Sequence, residues 1–261
     1  MQNAVLWALI ATIGTWAVTA LGALTVVFFR KTKLNIMNLM LGFAAGVMIA
    51  ASFWSLLEPS IELAKEYNKL PAFIIATSGF IFGTVFMWST DKLILKINKR
   101  NSHNKNNRTL MLVLSITLHN IPEGLAVGVA FGVLNINGFT PEGLIGACTL
   151  ALGIAIQNFP EGAAVSLPLR RDGASITKSF LIGQASGIVE PIAGVLGALL
   201  VVKTQTILPF LLAFAAGAMI LVSVHELIPE CQKIQNNKPY FATFGIIAGF
   251  AVMMLLDVAL G

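Results

Sequence analysis

Charge is what this chain has least of. Asp, Glu, Lys and Arg make up 11% of its 261 residues, where an ordinary soluble domain carries roughly a quarter. A deficit of that size excludes a soluble globular fold. Cysteine is scarce too. Cys148 and Cys231 sit in or beside apolar runs, which excludes a disulfide framework and a thiolate metal site. The alternation of polar and apolar residues that marks a membrane β-barrel is missing. No basic region precedes the first apolar run, Asn3 to Phe29, so that run reads as a span and not as a cleaved leader.

What is present is long apolar sequence, 56% of residues being hydrophobic with a mean hydropathy of +0.82. A helix crossing a bilayer needs about 20 such residues. The runs predict eight spans, at roughly 4–29, 35–58, 70–90, 108–133, 143–168, 178–202, 205–229 and 239–260. Helices satisfy their own backbone in lipid. The expected fold is therefore an all-α polytopic membrane protein, one transmembrane domain over 1–261, with the polar stretch 91–109 as a cytoplasmic loop.

The distribution of basic residues orients it. With residue 1 outside, the inner connections hold 14 of the 17 Lys and Arg residues, and the outer side keeps Lys65, Lys69 and Lys203. That bias predicts both termini outside the cytoplasm, in a cell inner membrane or plasma membrane. The basic character is thus a topology signal, and no nucleic-acid partner is expected.

Two internal repeats organise the chain. Leu41 to Ser52 (LGFAAGVMIAAS) recurs as Leu212 to Ser223 (LAFAAGAMILVS), with eight identities in twelve positions. The predicted topology gives the two copies opposite directions, the pattern of inverted-repeat transporters. The small residues Gly42, Gly46, Ala213 and Gly217 also suit close helix packing.

The second repeat carries chemistry: His119-Asn-Ile-Pro-Glu-Gly124 and Gln157-Asn-Phe-Pro-Glu-Gly162. The first and fifth residues of each copy lie one turn apart on a shared helix face. His119 with Glu123, and Gln157 with Glu161, therefore offer nitrogen and oxygen ligands of the kind divalent metals accept. Asn120 and Asn158 sit one residue round. Pro122 and Pro160 lack an amide hydrogen and free a carbonyl four residues earlier. A charged residue at the centre of a span costs on the order of 2.5–3.5 kcal/mol. Glu123, Glu161 and Glu190, the last in Glu190-Pro191, have no Lys or Arg inside the spans near them, so cations, protons or water are the expected compensation. His225, Glu226 and Glu230 at the inner end of the seventh span read as an inner pathway. Glu58 and Glu62 read as an outer entrance. His225-Glu226 has Pro229 where a metalloprotease needs its second histidine, so hydrolysis is not indicated and no enzyme is expected.

These motifs resemble those of the ZIP family of zinc and iron transporters, especially its bacterial-type GufA-like branch, over nearly the whole chain. The resemblance implies eight helices in a 3+2+3 arrangement. It assigns His119, Glu123, Gln157 and Glu161 to a primary transport site. Asn120, Asn158 and Glu190, with Glu123 and Glu161 bridging, form a second position, and Met48 is an additional sulfur ligand. His225 and Glu226 match inner-pathway residues. Asn158 stands where some relatives carry Asp, which lowers the charge offered to a second ion. The function implied is zinc uptake into the cytoplasm through a midplane site on the fourth, fifth and sixth helices. Zn²⁺ is both substrate and bound ion, with Fe²⁺, Mn²⁺ or Cd²⁺ as further cargo and no catalytic cofactor. Expected partners are divalent metal ions and the bilayer, with a homodimer left open. The competing readings are a metal-stabilised membrane receptor or scaffold, and a proton-coupled transporter of another solute.

The orientation is testable in intact cells with Cys148 and Cys231 replaced by alanine. A membrane-impermeant thiol reagent is expected to label Lys203→Cys and to leave Ser102→Cys unlabelled until the membrane is opened. The reverse pattern would invert the topology.

Overall fold

In the computed structural model, residues 2–28, 34–67, 70–100, 117, 120–134, 138–171, 173–203, 205–232 and 240–260 are described. These residues are helical almost throughout. The helices are α1 (Gln2–Leu24), α2 (Leu34–Ala51), α3 (Glu58–Tyr67), α4 (Ala72–Arg100), α5 (Asn120–Leu134), α6 (Pro141–Arg171), α7 (Ile176–Ala185), α8 (Val189–Lys203), α9 (Leu208–Val222), α10 (Ile228–Cys231) and α11 (Tyr240–Leu260). Several join end to end, so the described residues contain seven helices long and apolar enough to cross a membrane. α5 is a further, shorter apolar helix. Their outer faces display large apolar side chains such as Phe73, Phe82, Leu255 and Val258, which suits lipid and would be an aggregation hazard in water. α4 stays helical to Arg100. The first ten residues of the stretch read as a cytoplasmic loop are therefore helix, and 101–109 lie outside the described residues.

Helix joints follow from local chemistry. Gly138 and Gly173, with φ of 85° and 101°, take the left-handed conformation that glycine tolerates, before and after α6. Ser175 caps α7 by accepting a hydrogen bond from the Lys178 amide at 3.2 Å. Between α7 and α8 the chain tightens into a 3₁₀ turn, Ser186–Ile188, because Pro191 has no amide hydrogen and its ring displaces the carbonyl of Gly187.

Two further joints are π turns, Ser52–Leu57 after α2 and Ser223–Leu227 after α9. In each, a backbone amide reaches back five residues, Glu58 to Phe53 O and Ile228 to Ser223 O. Pro59 and Pro229 follow immediately and prevent the regular four-residue pairing. Both turns open on the serine that ends a copy of the twelve-residue repeat. Both serines are buried and donate to the carbonyl four residues earlier, Met48 O at 2.7 Å and Met219 O at 2.9 Å. The repeat in sequence is thus a repeat in backbone irregularity.

Close contacts pair the helices. α2 runs along α11 and α4 along α9, while α1 packs on α6, α7 and α8. α5 lies against α8, where a Cβ on Gly124 or Gly128 would meet the backbone of Glu190 or Gly194. A Cβ on Gly46 would meet Ile246 O, and one on Gly217 would meet Phe80 O. Without a hydrophobic drive between helices in lipid, such approaches supply the packing. Gly217→Ala is therefore expected to destabilise the protein by about 1–3 kcal/mol. Gly14, with nothing within 4 Å of an added Cβ, tolerates the same change. Thermal unfolding of both variants in detergent tests the difference.

Candidate metal centre

α5, α6 and the α7–α8 joint bring the two Pro-Glu motifs together. Glu123, Asn120, Gln157, Asn158 and Glu190 are fully buried, and Glu161 nearly so. Gln157 Nε2 donates to Glu123 Oε1 at 2.8 Å. Asn158 Nδ2 lies 2.9 Å from both Glu190 oxygens. Asn120 Nδ2 donates to Glu190 Oε1 at 3.3 Å and to Ser186 O at 3.2 Å. Glu123 lies within Coulombic range of both Glu161 and Glu190, and among the described residues every buried charged side chain is acidic.

The amide groups are used asymmetrically. Every carboxamide nitrogen in the set is spent on a carboxylate or a backbone carbonyl. Asn120 Oδ1, Gln157 Oε1 and Asn158 Oδ1, together with Glu123 Oε2, are buried oxygens without a hydrogen-bond partner among the described residues. Reversing an amide would set its oxygen against a carboxylate, so the donors fix the assignment. A buried acceptor left unmet costs roughly 1–3 kcal/mol. Four together, beside a carboxylate cluster, form an electron-rich lining that hard or borderline cations satisfy. Among the described residues, no group of three or more His, Cys, Asp and Glu side chains is gathered tightly enough to hold an ion by itself.

His119 lies outside the described residues. Met48 is fully enclosed in the main apolar cluster. His225 and Glu226 fall within the second π turn, His225 exposed and Glu226 half-buried, with Glu230 exposed in α10. Glu58 and Glu62 are exposed at the edge of a groove of about 410 Å³ between α3 and α4, where Lys65 pairs with Glu62 at 2.7 Å.

Three contributors were not anticipated. Thr15 and Thr19 of α1 reach Glu190 Oε2 at 2.5 Å and Glu190 Oε1 at 3.4 Å. Asp257 of α11, a carboxylate within a span, accepts from Ser55 Oγ at 2.6 Å, close enough to Glu58 to interact electrostatically. The available signals were the buried-face spacing of Thr12, Thr15 and Thr19, and a lone acid near the end of the last apolar run.

Asn158→Asp is expected to exchange two amide donors for a like charge facing Glu190. Each lost bond to a charged group is worth roughly 1.5–3 kcal/mol. The variant's melting temperature in detergent with chelator is expected to fall by several degrees, and Cd²⁺ in excess to restore it. An unchanged melting temperature would mean that the contact carries little.

The profile of the family described as "ZIP Zinc transporter" matches residues 98–257. Zinc transporter ZIP11 of Xenopus tropicalis is 39% identical, with 98% of each chain covered. Its counterpart in Homo sapiens is 37% identical over 100% of this chain and 99% of its own. Zinc transporter GufA of Myxococcus xanthus is 34% identical over 97% of this chain and 98% of its own.

Proposed function

Because this chain belongs to the ZIP zinc transporter family, we propose that it carries divalent metal ions, zinc foremost, into the cytoplasm through the buried centre formed by α5, α6 and the α7–α8 joint. It is a multi-pass membrane protein and not an enzyme. The observation that carries the reading is the set of partnerless buried oxygens on Asn120, Glu123, Gln157 and Asn158, assembled where carboxylates have no buried basic partner among the described residues.

In this reading His119, four residues before Glu123 in the sequence, adds an imidazole to Glu123, Gln157 and Glu161. Asn120 and Asn158, with Glu190 beside them, extend the donor set. A mixed set of neutral oxygens, carboxylates and one imidazole holds an ion firmly enough to strip its water and weakly enough to release it. A closed set of thiolates would retain it. Glu58 and Glu62, joined by Asp257 and Ser55, concentrate cations at the outer mouth, and His225, Glu226 and Glu230 receive them on the inner side. Met48 contributes a soft ligand if the apolar cluster around it parts.

The 3+2+3 arrangement with inverted repeats is supported by matched pairings. Exchanging the first three spans for the last three, and α5 for α6, carries the α2–α11 contact onto α9–α4 and the α1–α6 contact onto α8–α5. The two repeated π turns follow the same exchange. Glycine contacts join α1 to α6, α7 and α8, α5 to α8, α2 to α11 and α4 to α9, while Gly153 brings α6 against Met253 of α11. In a repeat-built transporter, alternating exposure comes from moving one set of such helices past another.

The test is uptake into proteoliposomes of verified orientation, with Zn²⁺, Fe²⁺, Mn²⁺ and Cd²⁺ each supplied alone. Zn²⁺ flux is expected to fall at least about tenfold in Glu123→Gln, the loss of one charged ligand, and to fall similarly in His119→Ala. Folded protein that moves none of the four ions would overturn the function. Undiminished flux in both variants would remove the central cluster from the path.

A further inference from the structure

The part of the centre that the metal reading leaves unexplained is the saturation of Glu190. A carboxylate has about four lone-pair directions. Glu190 receives Thr15 at 2.5 Å and Asn158 at 2.9 Å on Oε2, and Asn158 at 2.9 Å, Asn120 at 3.3 Å and Thr19 at 3.4 Å on Oε1. Four donor groups of the protein meet it, the Thr19 hydroxyl standing equally far from Oε1 and from Thr15 O at 3.4 Å. Glu123, by contrast, accepts from Gln157 on one oxygen and keeps the other buried and unpartnered. The two glutamates therefore do different work, although both lie at the same cluster.

We propose that Glu190 is a positioning residue, fixed by Thr15 of α1, and that it aims the carboxamide oxygens of Asn120 and Asn158 at the cation while standing behind them. The inference rests on reading the cluster as the metal centre. In a planar amide the direction of the nitrogen sets that of the oxygen. Asn158 Nδ2 is held by Glu190 and by Thr15 O at 3.3 Å, and Asn120 Nδ2 by Glu190 and Ser186 O. Each clamp leaves the amide oxygen turned away, buried and without a partner. Accepting from both nitrogens, the carboxylate also polarises both amides and makes their oxygens better donors to a metal.

Thr15 is the keystone of this clamp. Its hydroxyl proton has two acceptors in range, Thr12 O at 3.0 Å and Glu190 Oε2 at 2.5 Å, and the nearer one takes it. Thr12, one turn earlier on the same helix, bonds back to Ala8 O at 2.7 Å, the usual habit of a threonine in a helix. Space for the clamp comes from Gly187, where a Cβ would stand 2.9 Å from Glu190 Oε1 and 3.0 Å from Thr19 Oγ1. Trp16 Nε1 donates to Gln184 O at 2.8 Å and fixes α1 against the end of α7.

The experiment is Zn²⁺ titration by calorimetry of the purified full chain in detergent, with X-ray absorption to read the ligand set, on wild type, Thr15→Val, Thr15→Ser, Glu190→Gln and Glu123→Gln. One ion per wild-type chain is expected. Thr15→Val, which keeps the shape and removes the hydroxyl, should weaken its affinity about five- to tenfold, with stoichiometry and ligand spectrum unchanged. That is the weight of roughly one charge-assisted hydrogen bond. Thr15→Ser should return to within about twofold. Glu190→Gln should weaken the same single ion without changing its count. Wild-type affinity in Thr15→Val overturns the inference. So do two ions per wild-type chain with one lost in Glu190→Gln, a measurement that stands even where Thr15→Val fails to fold. Zn²⁺ binding that is absent from wild type, or unaffected by Glu123→Gln, sinks the reading of the centre itself.

Discussion

A carboxylate sealed within a bundle of lipid-embedded helices must be met by donors or by cations, and the centre of this protein is built from that requirement. With Glu123, Glu161 and Glu190 buried together, each neighbouring group is committed. Amide nitrogens and threonine hydroxyls face the carboxylates, amide oxygens face away, and backbone carbonyls take the surplus donors. The glycines of α5 then allow α8 to approach until Glu190 lies against Gly124. Remove the acids and none of these arrangements has a reason to persist.

That logic also separates the glutamates by what surrounds them. Glu190 is enclosed by neutral donors from three other helices. Glu123 is answered on one side alone. Two residues of the same type, both followed or preceded by proline, come to hold different positions in one network because α1 passes beside one of them. Its first-span location gives α1 a place in the chemistry as well as in the membrane.

The sequence made the skeleton legible because lipid imposes simple rules. Long apolar runs with basic residues between them produce helices of about the right extent, and acids beside prolines mark the centre. Thr15 and Thr19 were not legible. Threonine in an apolar helix ordinarily bonds back to its own turn, as Thr12 does, and nothing in the sequence tells such a residue from one that reaches a carboxylate 175 positions away. The Ser55–Asp257 contact was hidden for the same reason, since it joins positions 202 residues apart. Glu58 and Glu62 were read as a pair from their spacing, whereas Asp257 engages the Ser55–Glu58 segment and Glu62 turns to Lys65. The π turns left a trace, the serine closing each repeat, but their five-residue pairing depends on a proline acting through the helix backbone and has no periodic signature.

Each π turn also changes how the surface beyond it is read. Successive helical residues are separated by about 100° around the axis, and a widened turn absorbs an extra residue without an equal advance. Side chains after Ser223–Leu227 are therefore out of phase with the buried stripe of α9, which runs through Leu212, Ala216, Met219 and Ser223. A helical wheel drawn from Leu208 to Cys231 as one regular helix misplaces Pro229 and Glu230 around the axis. The same displacement holds for Glu58 after Ser52–Leu57. Mutational scans of either segment acquire their correct periodicity only when their phase is reset at the serine.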